Sequence, residues 1–183
     1  MHFAPEIDQP RLKTLFRYWV EQRGGRPMPT PEAIRLAEMP QDVRRHVIVF
    51  HVVKDSPEAE SGLRFRIEAV GDALHDHYGE QADGRWLEDI LGGHELDVVS
   101  RVLESVVRDG VVHFYRTVVP LTGGGGVLHT KLLLPLGVGD TEVTAILGGL
   151  CRGQPPADGT LENNYHSRFA ALPVIEDRPS DFS

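Results

Sequence analysis

Between Leu63 and Ile90 the chain changes its periodicity, and that change limits the folds open to it. Leu63, Phe65, Ile67 and Ala69 alternate with Arg64, Arg66 and Glu68. Successive side chains of a strand point to opposite faces, so residues 63–70 read as a strand with one apolar and one polar face. Gly71 stops it. Beyond that point Tyr78-Gly79 and Gly84-Arg85-Trp86-Leu87 divide residues 71–93 into short helical turns. A half-buried strand that runs straight into small helices builds one wall of a pocket. Such a wall points to binding rather than catalysis, and no other segment supplies a convincing catalytic set.

The remaining elements follow from the same signals. Residues 11–23, after Pro10, read as a helix whose Leu12, Leu15, Phe16, Trp19 and Val20 form one continuous apolar face. Gly24-Gly25 ends it. Arg26-Pro27-Met28-Pro29-Thr30-Pro31 must be extended, since proline disfavours helix in itself and in the residue before it. A short helix over 31–39 is expected to follow, capped by Thr30. Val47–Val53 is rich in β-branched residues and pairs as a hairpin with 63–70 across a polar turn at 56–62. Residues 95–108 form a better helix, with Leu96, Val99, Leu103, Val106 and Val107 on its apolar side. Three strands close the pattern, at 111–121, 127–136 and 142–150. The four glycines 123–126 make the first of their hairpin loops.

The expected fold is therefore α+β: a five-stranded antiparallel sheet with helices on one face and an amphipathic N-terminal helix. That helix has two possible partners, the other face of the sheet or a second copy of the chain. The expected organisation is an N-terminal helix and Pro-rich segment over 1–40, a central domain over 41–151, and a polar tail over 152–183.

Charge and cysteine content narrow the function. The 183 residues carry 19 basic and 27 acidic side chains, a net charge of −8. Phosphate contact needs clustered Lys and Arg, so nucleic acid is not an expected partner. The one basic group, Arg11, Lys13, Arg17, Arg23 and Arg26, reads as a solvated helix face. Cys151 is the only cysteine, which excludes an intrachain disulfide and a thiolate zinc site. Residues 1–10 lack the features of a signal peptide, and no apolar run reaches the ~20 residues of a membrane span. A soluble, cytoplasmic chain is expected.

Phe16-Arg17-Tyr18-Trp19 leading to Arg23-Gly24-Gly25-Arg26-Pro27-Met28-Pro29 resembles the opening of a bacterial, largely alphaproteobacterial, family of single-domain PAS-like proteins. Phe65-Arg66-Ile67 with Val70-Gly71, and Gly84-Arg85 with Leu87, is similar to the core of that family. The resemblance runs over about residues 12–150. It implies a PAS-like sheet and a ligand-sensing or protein-docking role in signalling, through partners contacted in trans. PAS domains frequently pair through such a leading helix, which makes Leu12, Phe16 and Trp19 a candidate homodimer seam beside the plainer reading of core packing. The absence of a cysteine in the helical cluster argues against flavin photochemistry. No aromatic cage or metal motif is evident, so the sequence names no cofactor and no metal ligand.

The expected ligand pocket lies between the apolar sheet face and the 71–93 helices, with Phe65, Ile67, Tyr78, Trp86, Leu103 and Tyr115 as wall residues. His75 and His77 are two apart on a helix, face different ways, and read as surface residues. His113, Tyr115 and His129 lie on central strands, either as packed, satisfied groups or as polar fixtures of a pocket. Arg64, Arg66 and Arg116 read as surface ion pairs ahead of a shared anion site. The glycine run is followed by neither Lys-Ser nor a helix start and is no phosphate loop. Cys151 reads as a packed thiol. Two rival functions remain open: a small acid–base enzyme pairing His113 or His129 with Asp76, and a haem sensor using His94.

Overall fold

The computed structural model describes residues 7–157 and 170–173. The readings made for residues 1–6 and for most of the tail after Ala157 lie outside the described residues.

The leading helix, α1 (Pro10–Arg23), starts on a proline at its first turn and ends where Gly24 turns left-handed, at φ 58°. Four of its apolar residues, Leu12, Leu15, Phe16 and Trp19, are buried. The next segment is extended as expected, and Met28 is buried in it. The expected helix over 31–39 is instead two single 3-10 turns, Pro31–Ala33 and Leu36–Glu38. The break has a tertiary cause: the Tyr18 hydroxyl accepts the Arg35 N–H at 2.9 Å, an amide that a continuous helix would need. Thr30 is extended but makes no side-chain cap bond. A short helix, α2 (Gln41–Arg44), then leads into the sheet.

Among the described residues, six strands form one antiparallel sheet: β1 (Val47–Val53), β2 (Arg64–Val70), β3 (Val111–Pro120), β4 (Gly126–Val138), β5 (Glu142–Gly153) and β6 (Ala170–Pro173), in the order β2-β1-β5-β4-β3-β6. The first five are those expected from the sequence. The sixth, within the segment read as a tail, adds to the outer edge of β3. Between β2 and β3 run a 3-10 turn (Asp72–Leu74), α3 (His75–Tyr78), a second 3-10 turn (Leu87–Asp89) and the long helix α4 (Gly93–Asp109).

The two central strands are buried on both faces: Leu132, Leu133 and Leu134 are all at most 4% exposed. Adjacent glycines of β5 show why. A Cβ on Gly149 would sit 2.6 Å from Leu12 and 2.7 Å from Leu15, side chains of α1, whereas one on Gly148 would meet Ile48 and Leu133 on the opposite face. α1 therefore lies on one face of β4 and β5, while α4 crosses β3, β4 and β5 on the other. Trp19 is 1% exposed and donates its indole N–H to the Pro135 carbonyl at 2.9 Å. Pairing with β3 ends at Leu133, so Pro135 stands where the sheet accepts a residue without an N–H.

This placement corrects one expectation. Leu12, Phe16 and Trp19 are 1–2% exposed within the single chain, so they are core rather than a dimer seam. Burying each such side chain is worth ~1.5–3 kcal/mol, and the chain's own sheet has taken that gain.

Candidate functional site

Cross-strand register assembles an unusual polar row on the α4 face. His113 pairs with Leu133, Tyr115 with Lys131, and Thr117 with His129, so the six side chains share one face. Tyr115, His129 and Lys131 are 1%, 2% and 5% exposed. Above the row starts α4, whose first turn carries His94 and Glu95. α3 approaches from the side and adds His77 and Tyr78.

These elements meet in two linked features. A cavity of about 190 Å³ opens between the first turns of α4 and the β3–β4 ladder. Val98, Val99, Val118 and Val119 give it apolar walls, and Glu95, Tyr115 and Lys131 give it polar groups. Beside it lies a cluster of His77, Glu95 and His129, whose ligating atoms all fall within 4.8 Å of one another. Glu95 Oε1 is 3.0 Å from Nε2 of His77. The rings of His77 and His129 meet edge to face with centroids 4.8 Å apart, and Tyr78 packs against His77 at 4.6 Å.

Burial sets the protonation of the site. The contact with His77 holds the Glu95 carboxyl below its ordinary range, against the opposing effect of burial. Burial, aided by the neighbouring Lys131 and His77, pushes His129 down to about 3, so its imidazole is neutral at pH 7. Burial also brings the Lys131 ammonium down to about 8, with Glu95 working to keep the proton. Both phenols, Tyr78 and Tyr115, are pushed up by burial and stay protonated.

The expected wall residues do not converge. Only Tyr115 lines the cavity. Tyr78 supports His77 from one side. Leu103 is a fully buried residue of α4 itself, away from the cavity. Phe65 and Ile67 face the same side of the sheet but sit on β2, at the far edge from β3, and Phe65 contributes to a separate open groove between β2 and α4. Trp86 is not an inner wall at all: the Arg64 guanidinium lies 3.8 Å over its ring. The pocket thus opens under α4 rather than under the 71–93 turns.

Other expectations resolve as follows. Arg64 forms the expected ion pairs, with Glu58 and Glu88, but Arg116 lies on β3, with three strands between it and β2, and pairs with Asp8, so the arginines do not converge. Asp76 pairs loosely with Arg152 at 3.8 Å, and Nε2 of His113 meets Ser105 Oγ at 2.9 Å, so the acid–base pair through Asp76 is not formed. His94 is exposed at the mouth of a cavity too small for a porphyrin. The Cys151 thiol is buried, and burial pushes it up. Its strand position puts it on the α1 face, away from the cavity. His77, expected at the surface, is part of the cluster, and so is Glu95, which no sequence signal singles out. The two-residue spacing of His77 from His75 excluded a joint site for that pair, but it said nothing about partners from α4 and β4.

A 2-1-5-4-3 antiparallel sheet, roofed by the turns and long helix joining its second and third strands, is the fold of a PAS domain. The chain belongs to the PAS domain family (PAS_5), which matches residues 7–151. Among solved structures, a light-oxygen-voltage domain studied with a flavin analogue is 15% identical, covering 64% of this chain and 82% of that one, with a TM-score of 0.42. A variant of RsLOV is 12% identical over 83% of this chain and 73% of that one, also with a TM-score of 0.42. No curated protein is similar in sequence. Among the described residues, no helix is long and apolar enough to cross a membrane.

Proposed function

We propose that this PAS domain senses a small molecule held under the first turns of α4 and passes its occupancy to a protein partner, without catalysis. The cavity carries the reading. Apolar walls with a few convergent polar groups are the usual make-up of a ligand site. Its volume of about 190 Å³ falls below the ~300–1,000 Å³ of drug-sized sites, which selects a small metabolite with an apolar body. Lys131 and Tyr115 would orient an acceptor on that molecule and Glu95 a donor.

A molecule in this cavity touches both α4 and the β3–β4 ladder. It would favour whichever packing of α4 closes upon it, shifting an equilibrium that already exists. The reader of that shift would be a signalling protein in trans or a second copy of the chain.

Native mass spectrometry and thermal shift against a metabolite library test this, using wild type and Val98→Phe, which fills the cavity from α4. Retained binders that stabilise wild type and not the filled variant are the expected result. A library with no compound separating the two proteins would leave the cavity without a ligand role.

A further inference from the structure

We propose that His77, Glu95 and His129 bind one divalent first-row transition-metal ion through two imidazoles and a carboxylate, with a coordination position open toward the cavity. The three residues come from α3, α4 and β4 and bring their ligating atoms within 4.8 Å of one another. His129 is 2% exposed, and among the described residues its Nδ1 has no hydrogen-bond partner. Leaving such a group buried and unmatched costs ~1–3 kcal/mol, and a metal bond is one way to meet it. The His77 and Glu95 side chains are 12% and 31% exposed, but their facing atoms, Nε2 and Oε1, are themselves buried, so the three donors converge inside the fold.

The donor set selects the ion. Imidazole suits zinc, iron, nickel and copper, while calcium and magnesium take oxygen ligands. A tetrahedral ion with bonds of ~2.0–2.1 Å holds its donor atoms about 3.3–3.4 Å apart. The His77–Glu95 contact, at 3.0 Å, is already near that spacing. No pair is wider than 4.8 Å, so the cluster must close by at most about 1.5 Å, within reach of small rotations shared among the three side chains.

Lys131 also bears on Glu95 and competes for the carboxylate, which suits the site to reversible occupancy. Binding would clamp α3 and α4 to β4, tying the roof to the sheet. Metal binding here needs no organic ligand, since the chain supplies all three donors.

The test uses the full chain stripped by chelator, then dialysed against zinc or titrated with cobalt(II). One equivalent should bind, and zinc-edge X-ray absorption of wild type should show two imidazoles in the first shell. Glu95→Gln, His77→Ala and His129→Ala should each weaken binding by at least about tenfold. His75→Ala, two residues from the site, should bind as wild type. His129→Ala removes a core group, so its fold is checked by circular dichroism. If it does not fold, the wild-type absorption spectrum and His77→Ala decide. Binding well under one equivalent, a shell with one imidazole or none, or unchanged affinity in His77→Ala overturns the proposal.

Discussion

The sheet is covered twice, and its two faces are built from different chemistry. Under α1 it presents Leu132, Leu134, Leu147 and Gly149 to Leu12, Leu15, Phe16 and Trp19, with a single indole N–H matched to a carbonyl. Under the start of α4 it presents His129, Lys131, Tyr115 and Thr117 to Glu95 and His77, around a cavity. Both regions are buried. The first is largely apolar and filled; its Arg23 is no part of a solvated helix face but is 5% exposed, with its guanidinium 5.4 Å over the Trp19 ring. The second sets an ammonium, a carboxylate and imidazoles together at a cost in desolvation. A chain with stability enough from one face can place such groups on the other, and departures of this kind are expected where function resides.

The largest effect that would sharpen the contrast comes from the α1 side. Trp19→Ala removes a side chain 1% exposed and leaves the Pro135 carbonyl unmatched. It should cost ~3–5 kcal/mol, read as a lower urea midpoint with little change in slope. A loss no greater than that of an exposed substitution would mean that α1 is loosely docked, and the contrast between the faces would fail. On the polar side the sign should reverse. Lys131→Met replaces a buried ammonium by an apolar side chain of similar length. It should leave stability unchanged or raise it by about 1 kcal/mol, because the desolvation cost outweighs a shared attraction to Glu95. A clear destabilisation would show the ammonium to be structural rather than held in place for binding.

The sequence reveals the first face far better than the second. Apolar residues recurring at helical spacing from Leu12 to Trp19, and alternating from Phe65 to Ala69, carry their own periodicity. That is enough to name five of the six described strands, in chain order, and the helix that precedes them. Whether α1 covers its own sheet or another copy is not periodic information; Gly149, small enough to admit Leu12 and Leu15, is the residue that answers it. The polar cluster joins positions 77, 95 and 129, on three elements, and arises only because α4 starts over the β3–β4 ladder. No local spacing encodes that crossing. Trp86 shows the converse: an aromatic in a glycine-rich turn reads as a wall, but its ring lies under the Arg64 guanidinium at 3.8 Å.

The smallest effect separates the two faces by acid sensitivity. His113 stands on the α4 face with its Nε2 2.9 Å from Ser105 Oγ, and burial pushes its imidazole below the ordinary value of 6.5, while Asp109 at the end of α4 pulls weakly the other way. In the unfolded chain the ring takes up its proton more readily than in the fold. Its contribution is therefore complete above pH 6.5 and declines as the pH falls toward the depressed value in the folded protein. One such group changes stability by at most ~1.4 kcal/mol per pH unit. His129 is depressed too and adds a slope of the same sign. The difference between wild type and His113→Gln thus isolates His113, and denaturation midpoints at pH 7.5 and pH 5.5 should fall further apart in wild type than in the variant. Equal separations would place His113 in contact with water or with a carboxylate, and the α4 face would then be less closed than its packing indicates.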